Sequence, residues 1–363
     1  MKIGKLVLQN LSESSKIKPT NKRLGSSESM SAEYDLTIIG GGPVGMFAAF
    51  YAGMRNARVQ LLESLPTLGG QVQALYPEKM IHDVAGYPAI KATDLVSQLA
   101  SQMKQFPIDV ALSSAVVNVS GAMGDFTVTT VNGTVSHTKA IIVATGSGAF
   151  EPRRLAVDNA GDFEGSQLFY HIPSLDKFKD QTVLVAGGGD SAIDMALMLE
   201  KVAKKVYIMH RRNQFRGMEH SVDLLKASSV EIKTPFLIKA LAETPSGQLN
   251  LSMKEVRGTA EETLAVDDLI VNYGFIADNK VIRNWDVVPT MTNHLFDVDT
   301  EMNTDVPGIT AIGDTVTYPG KLGLIASGFG EAPNAVNQLM MRLYPERRSP
   351  LHSTTLFEKN AHH

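Results

Sequence analysis

The sequence predicts an α/β fold of two Rossmann-like, three-layer domains, the second inserted into the first. Three observations carry that prediction. A strand–glycine turn–helix–strand unit begins near residue 34, a second copy begins near residue 181, and strand-like segments resume after it at 267–279 and 304–321.

The first unit is "YDLTIIGGGPVGMFAAFYAGMRNARVQLLES", with its strand at 36–39. Gly40 permits the tight turn, Gly42, followed by Pro43, lets backbone approach a pyrophosphate, and Gly45 lets helix and strand pack closely. The positive end of the helix dipole then faces the phosphates. Glu63 ends the second strand 23 positions after Gly40, where a carboxylate can accept from ribose hydroxyls. A purely structural glycine turn is the competing reading; strand, turn, helix, strand and acid together outweigh it.

The second unit, "QTVLVAGGGDSAIDMALMLEKVAKKVYIMHRR", has Gly187 and Gly189 in the pattern, Asp190 and Ser191 opening the helix, and Ala192 at the third glycine position. His210 stands 23 positions after Gly187, so the basic run "MHRRNQFR" is in register with Glu63. A glutamate there would repel a 2′-phosphate, whereas guanidiniums give it charge-assisted hydrogen bonds. Arg211 and Arg212 read as the main clamp, with His210 and Arg216 in support; a solvated basic face is the alternative. One acid-terminated and one base-terminated unit suggest two cofactors, FAD in the first and NADPH/NADP+ in the second. Their rings must approach to about 3–3.5 Å for hydride transfer, a reason to join two such folds in one chain.

"AIIVATGSGAFEPRRL" runs as a buried strand into Gly146 and leaves through Pro152; "DDLIVNYGFIADN" is the return. "TDVPGITAIGDTVTYPGK" adds a short strand closed by Gly313 and Asp314. That carboxylate can reach a ribityl chain, although an ordinary Asp turn explains the motif taken alone. "SGFGEAPNAVNQLMMRLY" reads as a glycine-led helix whose N-terminus can stabilise negative charge at a flavin edge.

Composition narrows the chemistry. With 363 residues, 44% of them hydrophobic, the chain can fill two cores. It has no cysteine, which excludes disulfides, thiolate metal sites, protein-ligated iron–sulfur clusters and a CxxC pair, so redox chemistry must come from a bound cofactor. Residues 1–30 hold six Lys/Arg against two Glu, a net of +4 that leaves −8 on the other 333 residues of a chain of formal charge −4. That balance argues against a general nucleic-acid binder. No apolar run approaches the roughly 20 residues of a membrane span, and the start lacks a secretory apolar core. The expectation is a cytoplasmic protein with residues 1–30 as a flexible extension.

Taken together, "GGGPVG", "LGGQ", "ATG", "GGGDSA", "HRRNQFR" and "AIGD" resemble the low-molecular-weight thioredoxin reductases from Tyr34 onward. Where those carry CxxC, this chain has "GSQLFYHIPSLDKFKDQTV". It is more similar to the ferredoxin–NADP reductases of thioredoxin-reductase type, whose marks "ALYPEKMIHDVAGYP", "GSGAFEPR", "GLIASGFGEAP" and "PLHSTTLF" it carries. The resemblance implies an FAD domain at 31–150 and 278–346, an NADPH domain at 151–277, and a tail, 347–363, folded over the flavin of the partner in a homodimer. It implies Glu63 as adenosine-ribose ligand, Gly70 and Gln71 as flavin contacts, Tyr76 stacked on the isoalloxazine, and Val116 in backbone contact with adenine. Phe150 lies by the cofactor, Asp314 binds the ribityl chain, His352 covers the other flavin face with Thr354 beside it, and Asp83 serves proton supply. Turn packing beside Pro77, a turn cap and a solvated tail residue are the other readings of Tyr76, Asp83 and His352. The implied activity is hydride exchange between NADPH and flavin N5, then one-electron steps to ferredoxin or flavodoxin. A quinone, free flavin or ferric iron as acceptor, and FAD/NADPH sensing without turnover, are the alternatives. No docking patch stands out; Lys201, Lys204, Lys205, Arg153 and Arg154 are the candidates.

Overall fold

The computed structural model describes residues 34–172, 174–278 and 281–347, so the extension expected at 1–30 lies outside the described residues. The first sheet contains β1 (Tyr34–Ile39), β2 (Val59–Leu62), β3 (Ile108–Ala111), β4 (Val116–Ala122), β5 (Asp125–Thr130) and β6 (Val135–Val143), in the order β3-β2-β1-β6-β5-β4. Pairing is parallel from β3 to β6 and antiparallel from β6 to β4. The nine-residue β6 serves two neighbours on one edge: its first part pairs with β5, and residues 141–143 take a parallel strand from much later in the chain, Ile309–Ala311.

Both faces of this sheet are covered, which is why its central strands read as nearly continuous apolar runs. Leu36 and Ile38 of β1 point into a core shared with the helices α1 (Pro43–Met54) and α3 (Ala92–Met103). A short helix, α2 (Gly70–Leu75), follows β2. On the opposite face Ile39, Ile141 and Val143 pack with Phe126, Phe296 and Trp285.

The chain leaves β6 through β7 (Ala149–Pro152) and builds a second sheet from β8 (Leu168–Phe169), β9 (Thr182–Gly187), β10 (Lys205–Met209) and β11 (Glu231–Lys233). An antiparallel meander follows, β12 (Phe236–Glu243), β13 (Leu249–Glu255) and β14 (Glu261–Val266), and then β15 (Asp268–Asn272) enters the second sheet, giving the all-parallel order β8-β15-β9-β10-β11. Leu184 and Ala186 of β9 face the meander, while Val183 and Val185 face α4 (Asp190–Leu199) and α5 (Glu219–Ala227). These are the three layers expected.

Strand β16 (Phe275–Asp278) pairs antiparallel with β7 at the crossing, and β17 (Ile309–Ala311) is the strand that returns to β6. The last helix, α6 (Ile325–Leu343), lays Val336 and Leu339 onto the α1/α3 side of the first sheet. Among the described residues, no helix is long and apolar enough to cross a membrane.

Candidate functional site

At the first turn each glycine has its own steric reason. Gly40 has φ +112°, and a Cβ there would lie 2.3 Å from the Ala144 carbonyl oxygen; at Gly45 it would lie 1.9 Å from the oxygen of Gly40. At Gly42 a Cβ would meet nothing within 4 Å. Gly42 is also the N-cap of α1 and supplies no side-chain cap, with Pro43 in the first turn, so the leading amides of the helix keep their capacity to bind an anion. Glu63 is buried at the end of β2: Oε2 accepts from the Gly41 N–H (2.7 Å), and Oε1 accepts from Ser64 Oγ (3.0 Å) and the Leu65 N–H (2.8 Å). The carboxylate thus braces the turn, and Oε2 accepts one hydrogen bond among the described residues, which leaves it a second lone pair.

The "LGGQ" segment closes over this turn. Gly69 N–H donates to the Gly41 oxygen (2.8 Å), and Gly70, at φ +54°, lies so close that a Cβ would come 3.2 Å from Gly42 Cα. Gln71 lies in the first turn of α2, its amide nitrogen 3.9 Å from where a Gly146 Cβ would stand, and half-buried Tyr76 is the C-cap of the same helix. Asp83 is exposed on the turn after residues 80–81. Val116 is buried at the start of β4.

Asp314 lies beyond β17, where a buried carboxylate holds the loop. Glu331 of α6 accepts from the Gly313 N–H (2.6 Å), from the Tyr318 hydroxyl (2.7 Å) and from Lys321 Nζ. Burial and then this hydrogen bond push the Tyr318 hydroxyl up to about 12. The Asp314 side chain reaches the surface, yet the protein packed around it strips enough water to raise its carboxyl, with Lys321 lowering and Glu331 raising it further. Glu331, Tyr318 and Lys321 were not singled out from sequence, although Glu331 lies inside the quoted "SGFGEAP".

The second turn repeats the first. A Cβ on Gly187 would meet the Asn272 oxygen at 2.4 Å and Ala192 Cβ at 2.7 Å, whereas at Gly189 it would meet nothing within 4 Å. The arginine loop is strapped over this turn: Arg216 N–H donates to the Gly188 oxygen (2.7 Å), and Met218 N–H donates to Asp190 Oδ1 (2.8 Å). A cavity of about 1120 Å³ lies here, lined by the 187–192 turn, Arg211 and Arg216, and also by Arg153, Arg154, Asn272 and Tyr273. Burial pushes the Tyr273 hydroxyl up to about 12.

His210 differs in kind from the arginines. It is 5% exposed, its ring stacks on Phe215 at 5.5 Å and fills the space over Gly188, where a Cβ would fall 2.2 Å from Nδ1. Burial first, then Arg216, Arg211 and Arg212, hold its pKa below the ordinary 6.5, so at neutral pH it is an uncharged wedge under the turn. The exposed Arg211, Arg212 and Arg216 carry the charge.

The segment after α2 meets the start of α4. Tyr76 Oη lies 3.2 Å from Ser191 Oγ at the start of α4, and Lys79 pairs with Asp194 at 2.7 Å. Phe150 belongs to β7; its side chain, His352 and Thr354 lie outside the described residues. Of the docking candidates, Arg153 and Arg154 face the nucleotide-side cavity, and Lys205 begins β10, at the opposite end from His210, paired with Glu231 at 2.9 Å. Among the described residues no cluster of three His, Asp or Glu could hold a metal.

Comparison with known proteins agrees with this geometry. Residues 34–338 match the family described as pyridine nucleotide-disulphide oxidoreductase. The chain is 84% identical over 330 residues, 91% of its length and 100% of the relative's, to a ferredoxin–NADP reductase of Lactiplantibacillus plantarum. It is 56% identical, over 90% of its length and 99% of the relative's, to one of Levilactobacillus brevis. Among solved structures it is similar to the thioredoxin reductase of Lactococcus lactis in its FR conformation (TM-score 0.73, 25% identity, 85% of this chain and 98% of that one). In fold it also matches that of T. acidophilum (TM-score 0.75, 21% identity, 85% and 98%). The chain belongs to the pyridine nucleotide-disulphide oxidoreductase family, and within it to the ferredoxin–NADP reductases of thioredoxin-reductase type.

Proposed function

We propose that the chain works as a homodimeric, cytoplasmic FAD enzyme that carries electrons from NADPH to ferredoxin or flavodoxin. The observation that carries this reading is the contact of Tyr76 with Ser191, which sets the candidate flavin shelf against the helix that receives the second dinucleotide. Bound FAD supplies the exchange between two-electron nicotinamide chemistry and one-electron chemistry, which a chain without cysteine cannot supply itself.

The chain's own groups bind and orient. Gly42, Pro43 and the leading amides of α1 take the FAD pyrophosphate, Glu63 Oε2 a ribose hydroxyl, and Asp314 the ribityl chain. Gly70, Gln71 and Tyr76 hold the ring, Val116 and Phe150 border the cofactor, and exposed Asp83 exchanges protons with solvent. Gly189, Asp190 and Ser191 frame the NADPH pyrophosphate, while Arg211, Arg212 and Arg216 read its 2′-phosphate. His352 and Thr354 of the partner's tail cover the ring. We divide the chain into an FAD domain at 31–150 and 278–346 and an NADPH domain at 151–277.

The test is anaerobic titration of the flavin-loaded protein with NADPH and NADH, then a panel of ferredoxin, flavodoxin and quinone. Bleaching by NADPH far ahead of NADH, with electrons passed on to ferredoxin, is expected. A flavin left oxidised by NADPH, or equal rates with both nucleotides, would overturn the reading.

A further inference from the structure

We propose that Arg257, on the turn between β13 and β14, is a third guanidinium of the 2′-phosphate subsite and so a determinant of the preference for NADPH. This rests on the reading of Arg211 and Arg212 as that subsite. A second cavity, of about 600 Å³, is lined by Arg211, Arg212, Asn213, Pro235, Val256 and Arg257. Two of its arginines come from the loop after β10; the third comes from the meander, more than forty residues later.

A ladder of backbone bonds fixes that meeting. His210 N–H donates to the Lys233 oxygen (3.1 Å), Phe236 N–H to the His210 oxygen (3.1 Å), and Val256 N–H to the Pro235 oxygen (2.8 Å). The arginine loop, residues 233–236 and the meander turn are therefore one hydrogen-bonded stack. Arg257 has φ +67°, a conformation that side-chain-bearing residues seldom adopt. The acid nearest in sequence, Glu255, turns its carboxylate onto Gly258, where a Cβ would fall 1.9 Å from Oε2. None of the three arginines has an ion pair with a carboxylate among the described residues.

Three unpaired guanidiniums around one cavity repel one another, and an anion of about two negative charges relieves that repulsion. A phosphate monoester carries such a charge, whereas the ribose hydroxyl of NADH carries none. Arg211 lines both cavities, so a molecule running through them would lay its pyrophosphate over the 187–189 turn and its monoester among the three arginines.

Calorimetric titration of the flavin-loaded protein with 2′,5′-ADP and with 5′-AMP tests this, the two ligands differing only in the 2′-monoester. Arg257→Ala should weaken 2′,5′-ADP roughly tenfold, the scale of one charge-assisted hydrogen bond, and leave 5′-AMP within about twofold. Arg257→Lys should recover part of the loss. If Arg257→Ala leaves 2′,5′-ADP unchanged while Arg211→Ala and Arg212→Ala weaken it, Arg257 has no part in a subsite that itself stands. If all three variants leave it unchanged, the subsite reading falls as well. Equal weakening of both ligands by Arg257→Ala would mean a distorted cavity and would also overturn the assignment.

Discussion

Gly42 and Gly45 lie in one turn yet should answer the same substitution in opposite ways. Gly42→Ala adds a methyl into open space at an ordinary φ of −70°, so the melting temperature should hold while flavin content falls at least tenfold, as the proposed pyrophosphate site requires. Gly45→Ala drives a methyl into the Gly40 oxygen and should cost about 2–4 kcal/mol in urea unfolding, overriding the gain of about 1 kcal/mol that alanine brings inside a helix. His210 gives a pH signature. Its folded pKa is lowered, so between that value and 6.5 the unfolded chain binds the extra proton, and stability rises with pH across the window. His210→Leu should flatten the rise in melting temperature on going from acid to neutral pH; an unchanged slope would show that the imidazole is not buried neutral.

The turn after β17 and helix α6 behave as one element because Glu331 joins them. Glu331→Leu strands the nearly buried Lys321 and the Gly313 N–H, and should cost about 3–5 kcal/mol. Adding Lys321→Met should restore much of that stability without restoring flavin retention, since Asp314 still loses its support; chemical denaturation and flavin release separate the two effects. The contrast with the glycine turns explains what could be read from the sequence. Gly40 answers to its own φ of +112° and Gly45 to the oxygen of Gly40 five residues earlier, and the register of His210 with Glu63 follows from a strand–helix–strand unit of fixed length, so both were legible. Glu331 with Gly313, Arg257 with Arg211, and Lys79 with Asp194 meet only because of how the sheets are ordered and crossed. The uncharged state of His210 was not legible for a related reason: the local pattern shows a basic run, but the loss of its water comes from Phe215 and Gly188 folding around the ring.

Across the whole molecule, the pair Lys79–Asp194 and the Tyr76–Ser191 contact hold the second sheet's helix against the first sheet's, while β7 and β16 carry the chain between them. Both partners of the ion pair are partly exposed, so its worth is at most about 1 kcal/mol. Asp194→Ala should change the rate of flavin reduction by NADPH about two- to fivefold, more at low than at high salt, with flavin content and melting temperature unmoved. A stopped-flow series in salt checks it; a salt-independent rate would assign the pair no part in orientation. The shared edge of β6 bears on biogenesis. The sheet holding the second turn is made from one continuous stretch, 168–272, and can assemble as soon as it clears the ribosome. The sheet holding the first turn waits, with residues 141–143 paired to β1 on one edge and open on the other, for a strand translated more than 160 residues later. The sheet encoded later can thus be completed first, and the sheet encoded first spends nearly half of the chain's synthesis with an adhesive strand edge, the interval in which a chaperone would matter most.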